Sequence, residues 1–194
     1  MNNLPFPFNL LPKGAAKLKE VAESSCLFRQ GDNPHCFYFL EQGEVRMTRH
    51  TLAGEEVVIH TAYAGETFAE ASLFSDQYHC DAFTKQASKL WMIDKQAVLV
   101  LSLEDADFSL ALTARFARQV QVLRRHKELL AIRSASERVY VALSEGMLQT
   151  NIKQFAASIG LTHEVVYRAL SELVNVGRVL KKGRGRYVIS LNTI

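Results

Sequence analysis

The spacing of apolar positions changes once along the chain. Up to about residue 100, short runs rich in β-branched and aromatic residues alternate with turn signals that contain Gly, Asn or Pro, which is typical of antiparallel strands. The strand-like runs are 25–29, 36–40, 44–48 and 56–60, separated by turns at 30–34, 41–43 and 52–55, with another at 64–66. This pattern predicts an antiparallel β-roll, preceded by a small helix at about residues 13–22.

From about Leu103 the apolar spacing becomes helical. Positions three and four apart form a seam along one face of a predicted long helix: Leu112, Phe116, Val120, Leu123, Lys127 and Leu130. A second apolar strip on the same helix comprises Phe108, Ala111, Val122, Leu129 and Ile132. A helix that is apolar on two sides needs two packing partners, so we expect the roll on one side and a second copy of the helix on the other. Burial of this helix within a monomer stays open as the alternative.

A capping-box pattern, Ser134-Ala-Ser-Glu137, predicts that the long helix ends and a new helix begins near Ser134. The sequence therefore predicts an α+β protein in three parts. These are a β-roll sensor domain (1–103), a long dimerisation helix (104–133) and a C-terminal helical domain (134–194).

The C-terminal part has the pattern of a winged helix-turn-helix. A first helix would bury Ile152, Phe155, Ala156 and Ile159. Gly160 then allows a tight turn, Leu161 plugs it, and Thr162 caps a second helix. The apolar face of the second helix would be Val165, Val166, Ala169, Leu170 and Leu173. Residues 176–190 predict two short strands around a tip of Lys, Arg and Gly, as expected of a wing that contacts phosphate.

The first turns of the second helix carry the residues that could read bases. Arg168 can donate two hydrogen bonds to guanine, and Glu164 can accept one from cytosine. The two residues are four apart and lie on one helix face, so they can address neighbouring base pairs. The alternative is an ordinary Glu164–Arg168 salt bridge with no role in DNA binding.

The overall net charge of +3 conceals an uneven distribution. Residues 134–194 hold eight Lys and Arg against four Glu, a net charge of +4. The rest of the chain holds 15 Lys and Arg against 16 Asp and Glu, a net charge of −1. This asymmetry indicates a polyanionic partner for the C-terminal part, unless it is merely a solvated surface. The 48% hydrophobic composition excludes a disordered or collagen-like chain. The absence of a signal-peptide pattern, of an apolar run of about 18 residues and of a rich cysteine framework predicts a cytoplasmic protein without membrane contact.

These motifs together resemble the Crp/Fnr family of bacterial transcription regulators over nearly the whole chain. Residues 162–170 resemble the family's recognition helix, residues 65–74 its phosphate-binding cassette, and Gln30-Gly and Gln42-Gly-Glu-Val its roll turns. The resemblance implies a homodimer that is joined through the long helix and binds a palindromic operator in double-stranded DNA. It also implies RNA polymerase as a partner, although the connection between Gly146 and Thr150 is shorter than the family's polymerase-contacting loop.

The resemblance also implies roles for single residues. The base-reading positions would be His163, Glu164 and Arg168, and the positions that contact the DNA backbone would be Lys153, Thr162, Tyr167, Lys182 and Arg184. His163 stands where the cyclic AMP receptor protein has Arg. The inner half-site is therefore expected to be shared and the outer base preference to differ.

The effector pocket departs from the family pattern. The candidate pocket residues are Gly65, Glu66, Glu70, Cys80, Asp81, Leu123 and Arg124. Glu70 matches the carboxylate that accepts a ribose hydroxyl. However, the Arg-Ser pair that holds the cyclic phosphate reads Cys80-Asp81, which lacks the guanidinium and adds a repelling carboxylate. Leu123 and Arg124 stand where small hydroxyl residues would meet the purine, so cyclic AMP is disfavoured as the effector.

Other effectors remain open. Cys26, Cys36 and Cys80 all fall within the roll, with His35 and His79 beside two of them, so they could bind Cu(I) or Zn(II) or form a thiol switch. Three unrelated thiols are the alternative. Haem is possible through a histidine among His35, His50, His60 and His79, and a regulator without any effector also stays open.

Two further classes of function compete with a regulator. A cupin-type metal-dependent enzyme could use the roll and its histidines, although these show no compact ligand spacing. A ligand-binding module could use the helix-turn-helix only for packing. No catalytic residues are predicted, because no defensible Ser-His-Asp or Cys-His pattern occurs in the sequence.

Overall fold

A computed structural model describes residues 4–148 and 151–190 of the chain. The chain divides into two compact units, Met1–Ala114 and Arg115–Ile194, and the division falls inside the long helix. The connection expected between Gly146 and Thr150 lies partly outside the described residues, since Thr150 is not among them. The three-part division at residues 103 and 133 stays a prediction.

The N-terminal unit is an antiparallel β-roll made of two four-stranded sheets. One sheet has the order β1-β8-β3-β6 and the other β2-β7-β4-β5. The strands are β1 (Ala16–Val21), β2 (Cys26–Phe28), β3 (Cys36–Gln42), β4 (Glu44–His50), β5 (Glu56–Tyr63), β6 (Thr67–Phe68), β7 (Asp81–Thr84) and β8 (Ser88–Asp94). The four strand-like runs read from the sequence are thus confirmed as β2 to β5, and the α+β class is confirmed with them.

The core of the roll is rich in aromatic side chains. Phe28 stacks on Tyr78 with ring centroids 3.9 Å apart, and Tyr38 stacks on Phe68 at 5.0 Å. Residues 36–40 of β3 are buried without interruption, because this strand lies between β8 and β6 and faces the core on one side. Burial of such large rings supplies much of the hydrophobic free energy that holds the roll together.

The helix predicted at about residues 13–22 is wrong. Residues 16–21 form strand β1 instead, which pairs antiparallel with β8 and places Ala16 opposite Ile93 and Leu18 opposite Trp91. Lys and Glu are good helix formers in isolation, but here the hydrogen-bonding edge of β8 needs a partner and overrides that propensity. Gly14, at φ 91°, turns the chain into the strand.

Two helices follow the roll. α1 (Lys95–Glu104) begins at Asp94, whose side chain accepts a hydrogen bond from the Ala97 N–H at 2.7 Å. The long helix α2 (Ala106–Ala131) begins after a break at Asp105. The long helix read from the sequence is therefore confirmed, with its start about three residues later than Leu103.

In the described part of the C-terminal unit, the end of α2 is followed by three short helices and a hairpin. They are α3 (Ala135–Ser144), α4 (Ile152–Ser158), α5 (His163–Asn175), β9 (Val179–Gly183) and β10 (Arg186–Ile189). The Ser134 hydroxyl accepts a hydrogen bond from the Glu137 N–H at 3.3 Å, which confirms the predicted helix start. A continuous apolar core joins the end of α2 to the three helices and β9 through buried residues that include Leu129, Val139, Phe155, Leu170 and Val179.

Candidate nucleic-acid interface

The helix α5 presents one apolar and one polar face. Val166, Ala169, Leu170 and Leu173 are buried against the core of the C-terminal unit. The opposite face exposes His163, Glu164, Tyr167 and Arg168 to solvent. Because the apolar residues repeat every three or four positions, their burial fixes the rotation of the helix and points these polar side chains outward.

Capping and a tight turn set the angle between α4 and α5. Asn151 caps α4 by accepting a hydrogen bond from the Gln154 N–H at 2.9 Å. Thr162 caps α5 by accepting one from the Val165 N–H at 3.4 Å. Gly160 between the helices has φ 65°, and a Cβ there would lie 2.7 Å from the Leu130 Cδ2 atom. The turn glycine predicted from the sequence is thus required by both its backbone angle and its surroundings.

Glu164 and Arg168 do not pair with each other in the described part of the chain. Glu164 instead lies 3.0 Å from the Nε2 atom of His163. Hydrogen bonds from its own backbone N–H and from Thr162 lower the pKa of Glu164, so it is ionised at neutral pH and can accept hydrogen bonds. Arg168 remains exposed, with no ion pair among the described residues, and is free to donate all its N–H groups.

A basic hairpin follows α5. β9 and β10 pair antiparallel, and Lys182 and Arg184 at the hairpin are both exposed. Lys181 and Arg186 are exposed as well and add to the same cationic surface. Lys153 is likewise exposed, on α4. This distribution gives the C-terminal unit the positive surface that phosphate binding requires.

Two arginines that the sequence did not single out hold this unit together. Arg138 on α3 donates from Nε to the Ile132 carbonyl at 3.0 Å and from a terminal nitrogen to the Ile159 carbonyl at 3.1 Å. It also reaches the Leu130 carbonyl at 3.2 Å. The guanidinium therefore satisfies the free carbonyls at the end of α2 and those after α4. Its position four residues after a helix cap was the available signal.

The second arginine attaches the hairpin to α3. Arg178, just before β9, forms a bidentate ion pair with Glu137 at 2.8 and 3.4 Å. Its guanidinium also lies over the Tyr140 ring, 3.7 Å from the centroid. The Arg178 guanidinium lowers the pKa of Glu137. The Glu137 carboxylate that a capping box would direct to Ser134 is thus used to hold the hairpin.

The segment predicted as the effector cassette, residues 65–74, lies in the roll, and several of its polar groups already form hydrogen bonds within the protein. The Gly65 N–H donates to the Leu40 carbonyl at 2.8 Å, and Gly65 has φ 94°. Glu66 accepts a hydrogen bond from the Tyr63 N–H at 2.8 Å. The Thr67 hydroxyl donates to the Glu70 carboxylate, at the start of a 3₁₀ turn over Glu70–Phe74.

Cys80 and Asp81, which the resemblance predicts at the positions of an Arg-Ser pair, are also engaged within the protein. One Asp81 oxygen accepts a hydrogen bond from the Gln30 N–H at 2.7 Å, and the other lies 3.4 Å from the Arg29 guanidinium. Cys80 is buried, and this burial raises the pKa of its thiol. At neutral pH the pair therefore offers a neutral thiol and an anion, neither of which attracts a phosphate.

The three cysteines are not brought together as a ligand set. Cys26 is exposed on β2, whereas Cys36 and Cys80 are buried in the roll core. The Cys36 sulfur lies 3.9 Å from the Tyr78 hydroxyl. Across residues 4–148 and 151–190, no group of three or more His, Cys, Asp and Glu is placed to hold a metal ion. The cysteine metal site and the cupin-type enzyme site thus gain no structural support.

The predicted dimer seam is partly exposed. Leu112 is buried and Phe116 is half-buried, while Val120, Leu123, Lys127 and Leu130 are exposed. Leu123 is 62% exposed and Val120 45%. Arg124, assigned with Leu123 to the effector pocket, is exposed as well. The roles of these positions in dimerisation and effector binding stay predictions.

Comparison with known proteins identifies the domain and the fold. Residues 18–105 match the family of the cyclic nucleotide-binding domain. A protein of Haemophilus influenzae described as uncharacterized is 34% identical over 85 residues, which are 42% of this chain and 66% of that protein. This chain therefore matches just under two thirds of the length of that relative.

Solved structures match nearly the whole chain. FixK2 from Bradyrhizobium japonicum superposes with a TM-score of 0.62 at 20% identity, covering 90% of this chain and 92% of that chain. The catabolite activator protein of Thermus thermophilus superposes with a TM-score of 0.52 at 24% identity, covering 97% of this chain and 92% of that chain. The sensor domain of the transcriptional regulator DNR from Pseudomonas aeruginosa is 28% identical with a TM-score of 0.50, covering 62% and 78%.

In the part of the chain that the structure describes, no helix combines the length and the apolar character needed to cross a bilayer.

Proposed function

We propose that this chain, which carries a cyclic nucleotide-binding domain within the fold of the Crp/Fnr regulators, is a sequence-specific DNA-binding transcription regulator. The observation that carries the proposal is the first turns of α5, where Glu164 and Arg168 are exposed, unpaired with each other and beside a basic hairpin. Its solved structural neighbours include transcriptional regulators, which favours this function over an enzyme.

In this proposal α5 enters the major groove with its N-terminal end. Arg168 donates two hydrogen bonds to the O6 and N7 atoms of guanine, and Glu164 accepts one from the amino group of cytosine. His163, at the first position of α5, sets the neighbouring base preference. Lys153, Thr162, Tyr167, Lys182 and Arg184 contact phosphates and fix the register of the helix on the duplex.

We further propose that the protein acts as a homodimer on a palindromic operator. The exposed apolar side chains of α2 at Val120, Leu123 and Leu130 favour a second copy of the helix as their partner. A two-fold dimer places two copies of α5 in successive major grooves, so the half-site centres lie about 34 Å apart, one helical turn. The same proposal makes RNA polymerase a partner of the protein and places the protein in the cytoplasm.

Cyclic AMP is not the proposed effector. The Gln30 N–H fixes the carboxylate of Asp81, which stands where the resemblance implies the Ser that would hold a cyclic phosphate. The Cys80 thiol beside it is neutral and donates only weakly. The site therefore opposes a phosphate, and the effector of this cassette, if one binds, has a different chemistry.

The decisive experiment is selection of bound sequences from random duplex oligonucleotides, followed by affinity measurements. We expect a palindrome to emerge for the wild-type chain. Arg168→Ala should weaken binding by about 1–3 kcal/mol and relax the preference at one base pair in each half-site. Lys19→Ala, an exposed cation on β1, is the matched control and should change neither quantity. Recovery of no palindrome, or wild-type preference in the Arg168 variant, would contradict the proposal.

A further inference from the structure

The roll has a cleft that the proposed DNA-binding function does not use. It lies on the sheet β2-β7-β4-β5, has a volume of about 240 Å³, and is lined by residues that include Ser24, Arg46, Thr48, Glu56, Phe83 and Lys85. Arg46 and Thr48 alternate along β4 with Val45 and Met47, which are buried in the roll core. The cleft therefore lies on the outer face of the sheet, away from that core.

Strand pairing brings the polar side chains of this cleft together. Arg46 on β4 lies opposite Phe83 on β7, and Thr48 lies two residues further along the same strand. The pairing of β4 with β5 shifts its register between Met47 and Thr48, which is a β-bulge. Bulges redirect side chains locally and are frequent beside binding sites.

Two polar atoms in this cleft are buried without a partner. Within the described residues, the Arg46 Nε atom and the Thr48 Oγ1 atom are shielded from solvent and form no hydrogen bond. Thr48 is only 2% exposed. The neighbouring Thr84 behaves normally, since its hydroxyl donates to the Ala22 carbonyl at 2.6 Å. Burying a hydrogen-bond donor without an acceptor destabilises the folded state. The two atoms therefore indicate a ligand that accepts their hydrogen bonds.

The charges of the cleft define what that ligand can be. Arg46 and Lys85 supply two cations, and neither forms an ion pair in the described part of the chain. Glu56 supplies one carboxylate, which repels a second anionic group on the ligand. Phe83 offers an apolar wall. Two cations against one anion favour a small molecule with a single anionic group.

We propose that this cleft binds a small molecule through one oxyanion, a carboxylate or a phosphate group. The Arg46 guanidinium and the Thr48 hydroxyl donate hydrogen bonds to the oxyanion. The Lys85 ammonium group is the third donor and the second positive charge. Glu56 faces the remainder of the ligand and accepts from a hydroxyl or amino group there. This site is separate from the residues of the cassette around Glu70, and it does not depend on DNA binding.

Thermal unfolding of the full chain tests the site with two probes, inorganic phosphate and acetate, at an ionic strength held constant with sodium chloride. Binding to the folded state raises Tm in a saturable way. We expect saturation with at least one probe, and the tighter probe identifies the anionic group. Arg46→Met, which keeps the aliphatic stem, should lower the affinity for that probe by about ten-fold or more, because it removes the charge-assisted hydrogen bonds.

Thr48→Val separates binding from a structural role. The variant keeps the shape of the side chain and removes the unpartnered hydroxyl, so Tm without a probe should be equal to or higher than that of the wild type. The affinity for the probe should nevertheless fall several-fold. Lys19→Gln removes an exposed cation on β1 and should change neither quantity.

Three results would overturn the proposal. They are no saturable rise of Tm with either probe, an equal rise in the wild type and in Arg46→Met, and a fall of Tm in Thr48→Val with unchanged probe affinity. The second result would place the anion elsewhere, for example on the basic hairpin. If Arg46→Met does not fold, Lys85→Gln provides the same comparison, because it also removes one cation from the cleft.

Discussion

At the scale of single residues, Arg138 connects the end of α2 to the turn after α4 in the C-terminal unit. Its guanidinium donates to the carbonyls of Ile132, Leu130 and Ile159, which lie at the end of α2 and in the turn after α4. Carbonyls at helix ends lack a partner within the helix, and the Arg138 guanidinium supplies one to these three. The interaction fixes the turn from which α5 begins, and therefore the direction of the proposed recognition helix.

Replacing Arg138 with Met should destabilise the C-terminal unit by about 2 kcal/mol, because several hydrogen bonds from a charged donor are lost and their carbonyls are left partly buried. Urea unfolding monitored by circular dichroism measures the change. Arg133→Met is the matched control, since Arg133 is an exposed arginine five residues away. Equal midpoints for the two variants would show that the contacts of Arg138 contribute nothing.

The ion pair between Glu137 and Arg178 should make stability depend on pH in a predictable direction. The pairing lowers the pKa of Glu137 below its ordinary value of 4.5. Its contribution is therefore fully present above pH 4.5 and is lost as pH falls through the lowered pKa of the folded protein. Because the side chains of Arg178 and Glu137 are 32% and 45% exposed, solvent screens the pair and we expect it to contribute only about 0.2–1 kcal/mol.

This expectation is checked by measuring the unfolding midpoints of the wild type and of Glu137→Gln at several pH values from about 3 to about 8. This range extends from below to above the ordinary pKa of a carboxyl group. The wild type should be more stable near neutrality, and the difference should shrink towards zero in acid. Glu23→Gln, an exposed carboxyl on the roll, serves as the control and should show no such trend. A difference that persists unchanged in acid would exclude the ion pair as its cause.

At the scale of secondary-structure elements, the turn between α4 and α5 depends on Gly160. Gly160→Ala should be destabilising for two reasons, the strain of an alanine at φ 65° and the contact of its Cβ with Leu130 Cδ2. Gly177→Ala isolates the first reason, because Gly177 has φ 75° and no heavy atom within 4 Å of the Cβ position. We expect Gly160→Ala to cost about 1 kcal/mol more in urea unfolding. Equal costs would mean that Leu130 moves aside freely.

The elements that the sequence predicted correctly are those with a strong local pattern. The β-branched and aromatic runs at 36–40 and 44–48, bounded by turn signals, and the helical spacing after Leu103 each reveal their element within a window of about ten residues. Strand β1 escaped this reading because its conformation depends on β8, some seventy residues away in the sequence. Such long-range pairing leaves no periodic signal in the strand itself.

The same distinction applies to the candidate sites. Thr162 and Gly160 have local signatures as a helix cap and a turn, and the structure places them as predicted. Arg178 and the cleft residues Arg46 and Thr48 acquire their roles only when distant strands and helices meet. Their chemistry was therefore invisible in a single sequence, since each is an ordinary residue in its local context.

At the scale of the whole molecule, the asymmetry of charge leads to a prediction about salt. The net +4 of residues 134–194 is concentrated on the helix-turn-helix and hairpin, so DNA binding should release counterions from the phosphates there. Lys182→Gln removes one proposed phosphate contact. It should weaken binding about equally on operator and non-operator duplexes and reduce the slope of log K against log salt by about 0.9.

Titrations of both duplexes at several salt concentrations measure this slope. Lys19→Gln removes a charge of the same kind from the roll, and its slope should equal that of the wild type. Arg168→Ala should differ from Lys182→Gln by acting mainly on the operator, because a base contact discriminates between sequences and a phosphate contact does not. If Lys182→Gln left the slope unchanged, the hairpin would not touch phosphate, and the cations of α4 and α5 would have to supply the affinity alone.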